Sequence, residues 1–442
     1  MTAKSFTIAG NIVNPNSGVL INAYIAVENG IISHIHDKKT FEDLKKSNML
    51  TNNELIQMNE NQFLMPGFID CHTHAPQFPN LGLGLDKPLL EWLDSYTFPL
   101  EKRYSDVNFA SRVYDKVVKK LINNGTTTAC YFGSIHVEGT LELVKSAIKH
   151  HQRALVGKVS MNEKNNHDYY NTTETEMAET EQFVKGVLEF QNDLVQPVVT
   201  PRFAVSCDQK LMTSLAELAK KYNCRIQSHL SENLKEIDYV LEKNPGCNSY
   251  SNVYDNCNIL TDKCIMAHAV HLSEEEMKLL ALKGVSVAHC PASNTRLISG
   301  ACPVSKLLHY GISVGLGTDV SGGDNASILD AMRRALDVAT LVDCDTKLTS
   351  DNAFYMATLG GAKALNLDDK IGSLEVGKEF DALLIDVYST DGPITHFPEF
   401  PEVKPGCKDY VVNLLQRFFY GGDDRNIVQV YVKGKKVKDI MK

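Results

Sequence analysis

The chain has 442 residues, of which 43% are hydrophobic and 22% are charged, an ordinary globular composition that excludes a disordered chain and leaves room for two domains. Its net charge of −9 argues against a nucleic-acid-binding surface, because such surfaces need clustered Lys and Arg. No apolar run reaches the ~18 residues of a membrane span, and eleven cysteines without paired spacing favour reduced thiols in the cytoplasm over a disulfide framework.

The two ends of the chain carry strand patterns. Residues 6–13 and 23–35 alternate apolar and polar side chains around the turn signal Glu28-Asn29-Gly30. Near the other end, residues 382–385 and 427–436 predict further short strands. Because neither end could bury a core alone, we predict that residues 1–65 and 367–442 join into one small composite β-sandwich domain.

The middle of the chain, residues 66–366, alternates strand-like apolar runs with helical stretches, which is typical of a parallel sheet covered by helices. Eight candidate strands lie there, at residues 66–74, 126–132, 154–160, 198–203, 225–229, 264–268, 285–290 and 314–319. They predict the α/β class with a (β/α)8 barrel. Residues 165–180 are polar, and the pattern leaves open whether they form an ordered helix or a mobile flap.

Histidines and one aspartate mark the ends of several predicted strands. In the motif PGFIDCHTH, side chains alternate along the first strand, so His72 and His74 point the same way and can hold one metal ion. His229 ends the fifth strand, His268 the sixth and Asp319 the eighth. Barrel active sites lie at the C-terminal ends of strands, so these residues together predict a metal-dependent active site.

This arrangement is the pattern of the amidohydrolase superfamily, and within it the sequence resembles the guanine deaminases over nearly its whole length. The stretches that carry the resemblance are PLLEWL and YTFP at 88–93 and 96–99, SHLSEN at 228–233, AHCP with SN at 288–294, and GLGTDV with GG at 315–323. The resemblance implies hydrolytic deamination of guanine to xanthine and ammonia.

The resemblance also implies one Zn²⁺ per subunit, bound by His72, His74, His229, Asp319 and a water. Three His and a carboxylate with an open position are typical of a catalytic zinc rather than a structural one. Some superfamily members bridge two metals with a carboxylated lysine on the fourth strand, but that strand reads VVTPRF here. Lys158 on the third strand could replace the bridging lysine, but a lysine that is ion-paired or snorkels to solvent is the simpler interpretation. We therefore predict a mononuclear site.

The chemistry assigns roles to three residues. Attack on the amino-bearing carbon requires hydroxide at neutral pH, which Zn²⁺ supplies by lowering the pKa of bound water toward ~7. We expect Asp319 to take the proton from that water and His268 to stabilise the hydroxide. Glu232, three residues after His229, is expected to shuttle protons to the ring nitrogen and the leaving amine, as the resemblance also implies.

Arg202, Phe203 and Gln77 are the residues predicted to recognise the purine. Arg202 can donate to the carbonyl oxygen, Phe203 can stack on the ring, and Gln77 can both donate and accept. In guanine deaminases, an Arg-Phe pair on the fourth strand and a Gln three residues beyond the second His serve these roles. The predicted substrate-binding set is completed by residues that also serve catalysis or metal binding: His74, His229, Glu232 and Asp319.

Two other interpretations stay open. One is another aminohydrolase or chlorohydrolase of this superfamily that acts on a pyrimidine, a triazine or a modified adenosine; adenine would leave Arg202 unpaired. The other is a non-catalytic assembly protein, which the presence of all four predicted ligands and of Glu232 disfavours. The resemblance implies a homodimer with a small-molecule substrate, and the composition predicts a cytoplasmic chain without a nucleic-acid or membrane partner.

Overall fold

The structure is a computed structural model that describes residues 5–15, 17–46, 54–342, 348–397 and 403–441. Two sheets organise the chain, and only Gly67 separates the strand that ends in the first sheet at Pro66 from the strand that begins in the second at Phe68. A Cβ atom on Gly67 would lie 2.1 Å from Oγ1 of Thr127, so this close crossing requires glycine.

The first sheet joins both ends of the chain, as predicted. Ala382–Asp386 pairs antiparallel with Gln62–Pro66, which connects the C-terminal strands to the N-terminal ones. The rings of Phe6, Phe380 and Tyr431 pack in its core. Its eight strands in chain order are Phe6–Asn14, Gly18–Glu28, Ile31–His36, Glu54–Gln57, Gln62–Pro66, Ala382–Asp386, Ile427–Val432 and Lys435–Asp439.

The second sheet is the predicted (β/α)8 barrel. All of its pairings are parallel, and each strand lies beside the next in chain order. The first and last strands meet where the amide of Asp319 donates to His72 O at 2.9 Å and that of His74 donates to Val320 O at 3.0 Å. The strands are Phe68–His74, Thr126–Phe132, Arg153–Gly157, Val195–Pro201, Arg225–Leu230, Cys264–His268, Ser286–His289 and Val314–Leu316, and a short strand, Val159–Ser160, extends the third.

Four strand ends differ from the prediction, those of the fifth and seventh strands by one residue and those of the fourth and eighth by more. The fourth strand ends at Pro201, so Arg202 and Phe203 lie just beyond it, and the eighth ends at Leu316, three residues before Asp319. At Gly317 the chain passes so close to the first strand that a Cβ atom would lie 2.9 Å from Cβ of His72. The predicted site residues therefore sit on the loops that follow these strands.

Amphipathic helices cover the barrel. Val107–Asn123 is typical: the side chain of Asp106 caps its first turn, and its buried residues recur three or four positions apart. The other helices of the barrel region are Val137–His150, Thr173–Glu189, Gln209–Tyr222, Leu234–Lys243, Tyr250–Asn256, Glu274–Lys283, Pro291–Arg296, Val304–His309, Ile328–Val342, Ser350–Ala357 and Leu359–Ala364. Two more, Lys38–Lys46 and Lys408–Gly421, belong to the terminal segments.

The connection after the first strand is long and made of short helical turns. They span Ala75–Asn80, Leu89–Trp92, Leu93–Thr97, Phe98–Glu101 and Lys102–Ser105. Trp92 and Phe98 are buried, and Trp92 Nε1 donates to Leu83 O at 3.0 Å. This connection lies over the C-terminal end of the barrel and forms one wall of the cavity described below.

The polar segment that the sequence left open is only partly helical. Its second half begins the helix Thr173–Glu189, capped by Thr172. That helix brings Glu176 to Lys158, whose Nζ lies 2.5 Å from Oε2 of Glu176 and 3.5 Å from Oε2 of Glu179. The prediction of an ion-paired lysine is confirmed.

Within the described ranges, no helix has both the length and the apolar character needed to cross a bilayer. The division of the chain into domains at residues 65/66 and 366/367 stays a prediction.

Candidate active site

The four predicted metal ligands meet at the C-terminal end of the barrel and are all buried. Nε2 of His72 lies 3.2 Å from Oδ1 of Asp319, and Nε2 of His74 lies 3.5 Å from the same oxygen. Nε2 of His229 lies 3.1 Å from Nε2 of His74. Ligand atoms placed ~2.0–2.2 Å from a tetrahedral zinc are separated by roughly 3.3–3.5 Å, so these spacings fit a single metal ion.

The protonation states suit metal binding. Burial lowers the pKa of His72, His74 and His229, so their rings are neutral and keep a lone pair on a nitrogen. Burial alone would raise the pKa of Asp319, but the adjacent His72 holds it down, to about 2. Nε2 of His72 is buried, and the polar atom it faces is Oδ1 of Asp319, another candidate ligand atom, so the two can share one metal ion.

A buried aspartate that the sequence analysis missed supports this set. Asp70 accepts hydrogen bonds from Thr318 Oγ1 at 2.5 Å, from Thr318 N at 3.1 Å and from His72 N at 3.2 Å. These bonds tie the first strand to the loop after the eighth. Asp70 lies in the same PGFIDCHTH motif as the histidines, and its polarity within an apolar strand is the signal that could have identified it.

Glu232 and His268 lie beside the candidate ligands. Oε2 of Glu232 is 3.3 Å from Nε2 of His268, and that nitrogen is 3.9 Å from Oδ2 of Asp319. Burial raises the pKa of Glu232 to about 8, and the charge of Asp319 adds to the rise. A carboxyl group with such a pKa can carry a proton at neutral pH and release it.

Three side chains that the sequence analysis did not assign hold this pair. Ser299 Oγ donates to Oε1 of Glu232 at 3.1 Å, and the side chain of Asn294 is hydrogen-bonded to Nδ1 of His268 at 2.8 Å. Glu236 accepts a hydrogen bond from the amide of Glu232 at 3.0 Å. Asn294 belongs to one of the stretches that carry the family resemblance, whereas nothing local distinguishes Ser299.

The backbone turns sharply at the strand ends that supply these groups. Ser231, His268 and Asp319 have φ of 49°, 76° and 46°, in the left-handed region that residues other than glycine seldom adopt. Such conformations cluster at active sites because the surrounding structure enforces them. Here they occur where the side chains of the fifth, sixth and eighth strands meet.

A cavity opens beside this cluster. All seven residues of the predicted substrate-binding set line it, together with His268. Its remaining lining residues were not among the predicted site residues, although three of them lie in the PLLEWL stretch. They are Leu89, Trp92, Leu93, Leu297 and Gly322.

Glu101 is a polar residue of this region that the sequence analysis missed. Its carboxylate is fully buried and accepts from Nη1 of Arg202 at 2.6 Å and from Nη2 at 3.2 Å. It also accepts from Nε2 of Gln77 at 2.9 Å. Both predicted polar recognition residues thus converge on one carboxylate, and its position two residues after the YTFP stretch is the only local signal for it.

Comparison with known proteins agrees with this geometry. The model of the amidohydrolase family matches residues 63–437. The chain is 42% identical over 435 residues to the guanine deaminase of Dictyostelium discoideum, covering 95% of this chain and 94% of that protein. It is 44% identical over 419 residues to the guanine deaminase of Rattus norvegicus, covering 93% and 90%.

Among solved structures, the guanine deaminase of C. acetobutylicum with bound guanine in its active site has a TM-score of 0.86 and 34% identity to this chain. The match covers 98% of this chain and all of the other. Family, sequence relatives and structure agree over almost the entire length. The chain belongs to the amidohydrolase family.

Proposed function

We propose that this protein is an enzyme that hydrolyses guanine to xanthine and ammonia. The observation that carries the proposal is a cavity lined both by three candidate metal ligands with Glu232 and by Arg202 with Gln77. We assign the first group to a metal end of the cavity and the second to a recognition end. A planar heterocycle held by that pair would present its amino-bearing carbon to the metal end. The relatives with 42% and 44% identity are guanine deaminases, which supports the same substrate.

We propose that one Zn²⁺ per subunit is held by His72, His74, His229 and Asp319. When bound, such an ion supplies a nucleophile at neutral pH by lowering the pKa of water. The neutral imidazoles and the approach of Nε2 of His72 to Oδ1 of Asp319 support this ligand set. Cys290 forms another group with His268 and Asp319, but it shares only Asp319 with the proposed set.

The protein side chains then move the protons. Asp319 accepts a proton from the attacking water, and His268 holds that water through Nε2. Glu232 donates a proton to the ring nitrogen next to the attacked carbon as the tetrahedral intermediate forms. It then transfers the remaining proton from the attacking oxygen to the amine, which leaves as ammonia. The proton held by Asp319 passes to Glu232, which restores both groups. The pKa of Glu232, raised to about 8, suits a group that gives up and regains a proton at neutral pH.

The remaining walls hold the ring. Phe203 contributes a buried aromatic face, and Leu89, Trp92 and Leu297 contribute apolar surface. Arg202 donates to the purine carbonyl and Gln77 offers an amide to the neighbouring ring atoms. The side chains that line the cavity are buried.

We also propose that the enzyme is a cytoplasmic homodimer. Every described cysteine is free and most are buried, which suits a reducing compartment. The resemblance to guanine deaminases supports the dimer. Light scattering of the purified protein tests the oligomeric state, and fractionation of cells tests the compartment.

The decisive experiment is an ultraviolet assay of the purified, metal-analysed protein with guanine, and with adenine and cytosine in parallel. We expect loss of guanine with xanthine and ammonia appearing in equal amounts, no turnover of the other two bases, and loss of activity after treatment with a strong chelator. Zinc-replete protein that leaves guanine unchanged would overturn the proposal and redirect the search to pyrimidines and triazines.

A further inference from the structure

We propose that Glu101 is a positioning residue that sets which purine the site accepts, by holding Arg202 and Gln77 in one donor arrangement. The inference rests on the proposed function, because it concerns the substrate of that same site. Glu101 does not line the cavity and touches no reacting atom. It acts through the two side chains that do line it.

The three residues come from different parts of the barrel mouth. Glu101 ends the helix Phe98–Glu101, Arg202 follows the fourth strand, and Gln77 lies in the turn after the first. Their relative exposures are 0%, 2% and 2%, so the hydrogen bonds among them are shielded from water. Charge-assisted bonds in such surroundings are strong and hold their partners in a narrow range of orientations.

Glu101 determines which N–H groups of Arg202 remain free. A guanidinium has five N–H donors in a fixed plane. The paired bonds to Glu101 consume one donor on Nη1 and one on Nη2, and Nη1 also approaches Sδ of Met161 at 3.9 Å. No described residue accepts from Nε, so the donors left for a ligand are on Nε and Nη2.

Glu101 also determines which way the amide of Gln77 points. Nε2 of Gln77 donates to Glu101, while Oε1 accepts from the amide of Ser321 at 3.2 Å. Reversing the amide would place its oxygen against the carboxylate and its NH₂ against the backbone N–H, so two attractive contacts would become repulsive. The second hydrogen on Nε2 is left for the cavity.

The free N–H groups of Arg202 and Gln77 therefore make this side of the cavity a hydrogen-bond donor surface for the edge of the bound purine. A purine with a carbonyl at that edge supplies the acceptor that these donors need. Adenine carries an amino group at the same position and would place donor against donor, which costs more than a lost contact because the buried donors stay unpaired.

The carboxylate of Glu101 also balances the positive charge of Arg202. An unpaired buried guanidinium would favour anionic ligands, whereas guanine is neutral at pH 7. The bidentate pair with Glu101 cancels the charge, so Arg202 serves as a directional hydrogen-bond donor. The ring of Phe98, 5.1 Å from the guanidinium carbon, and the buried Tyr169 beside Glu101 close the remaining sides of this pair.

The test compares Glu101→Gln with the holoenzyme. In the variant, one of the two oxygens that accept from Arg202 and Gln77 becomes an NH₂ donor. We expect kcat/KM for guanine to fall at least about tenfold, mostly through KM, because a hydrogen bond to a charged group contributes more than one factor of ten. Metal content should not change, and the ratio of guanine to adenine affinity should fall by a similar factor.

Binding can be read independently of turnover. Trp92 is the only tryptophan of the chain and lines the cavity, so its fluorescence, excited where tyrosine does not absorb, reports occupancy by guanine or adenine. If guanine binds to the wild-type protein but is not deaminated, the proposed function fails while the fluorescence comparison still tests Glu101.

Two further variants separate positioning from stability. Glu176→Gln is the matched control, because Glu176 is an equally buried carboxylate paired with a buried cation, Lys158, away from the cavity. Glu101→Asp keeps the charge and should have an affinity for guanine between those of the wild-type protein and Glu101→Gln. If Glu101→Gln does not fold, the proposal is tested with Glu101→Asp. Unchanged KM and selectivity in a folded Glu101→Gln, or an equal loss in Glu176→Gln, would overturn the proposal.

Discussion

The two ends of the active-site cavity are built in different ways. At the metal end, the histidines lie two residues apart on one strand or directly at the ends of others, so short sequence motifs already indicate them. At the recognition end, Arg202 and Gln77 depend on Glu101, which is 101 positions from Arg202 in the chain. Reactive groups can thus be encoded locally, whereas the orientation of the groups that select a substrate is a long-range property.

This difference predicts which property each mutation should change. Changes at the metal end should remove the chemistry, while changes at the recognition end should alter affinity and selectivity and leave the chemistry in place. The following variants test this distinction, beginning with the largest expected effect on activity.

Replacing His72 by Ala should abolish both metal retention and activity. His72 supplies a buried nitrogen that faces Oδ1 of Asp319, and without it the remaining groups cannot complete the set. Metal analysis of the purified variant and the guanine assay measure the two effects. His289→Ala is the matched control, because it removes a buried imidazole outside the proposed ligand set and should keep the metal. A metal-replete and active His72→Ala protein would refute the ligand assignment.

Glu232→Gln should retain the metal and lower kcat by at least ~10², the usual contribution of a positioned acid or base. The amide keeps the shape of the side chain but cannot carry the proton. Single-turnover kinetics with guanine separate this chemical defect from binding. Turnover within a few fold of the wild-type rate would place the proton shuttle on another group.

Arg202→Lys probes the opposite end of the cavity. Lysine keeps the charge opposite Glu101 but cannot form the paired bonds, so the remaining donors lose their direction. We expect KM for guanine to rise by about tenfold to a hundredfold while kcat changes less. Steady-state kinetics with guanine check this, and a defect confined to kcat would contradict the division between the two ends.

Asp381→Asn should have the smallest effect on activity and a clear effect on stability. Asp381, in the sheet of the chain ends, pairs with Arg153 at the start of the third barrel strand, at 3.1 and 3.2 Å, with both side chains buried. Because Nη2 of Arg153 keeps Oε2 of Glu379 as a partner at 2.6 Å, we expect the change to cost about 2 kcal/mol of the free energy of unfolding. Urea denaturation measures that loss, and a parallel loss of kcat would show that the contact between the sheets reaches the site.

The barrel strands could be predicted from the sequence because each strand is marked by an apolar run within its own few residues. Thr126–Phe132 and Cys264–His268 have the bounds read from the apolar pattern, since a buried parallel strand is a continuous apolar run. Several other bounds were wrong, and the ends of the fourth and eighth strands, where the loops with Arg202 and Asp319 begin, were wrong by two and three residues. Loops lack a period, so the pattern could not show where pairing stops.

The sequence by itself determined the fold class, the composite sheet of the chain ends and the residues that meet at the candidate metal site, because strand alternation and strand ends place those side chains. Only the tertiary structure decided the partner of Lys158, the support of His72 by Asp70 and the convergence of Arg202 and Gln77 on Glu101. Each of these joins side chains from separate elements. Such contacts depend on how helices and loops pack over the barrel. The periodicity of the local sequence does not predict that packing.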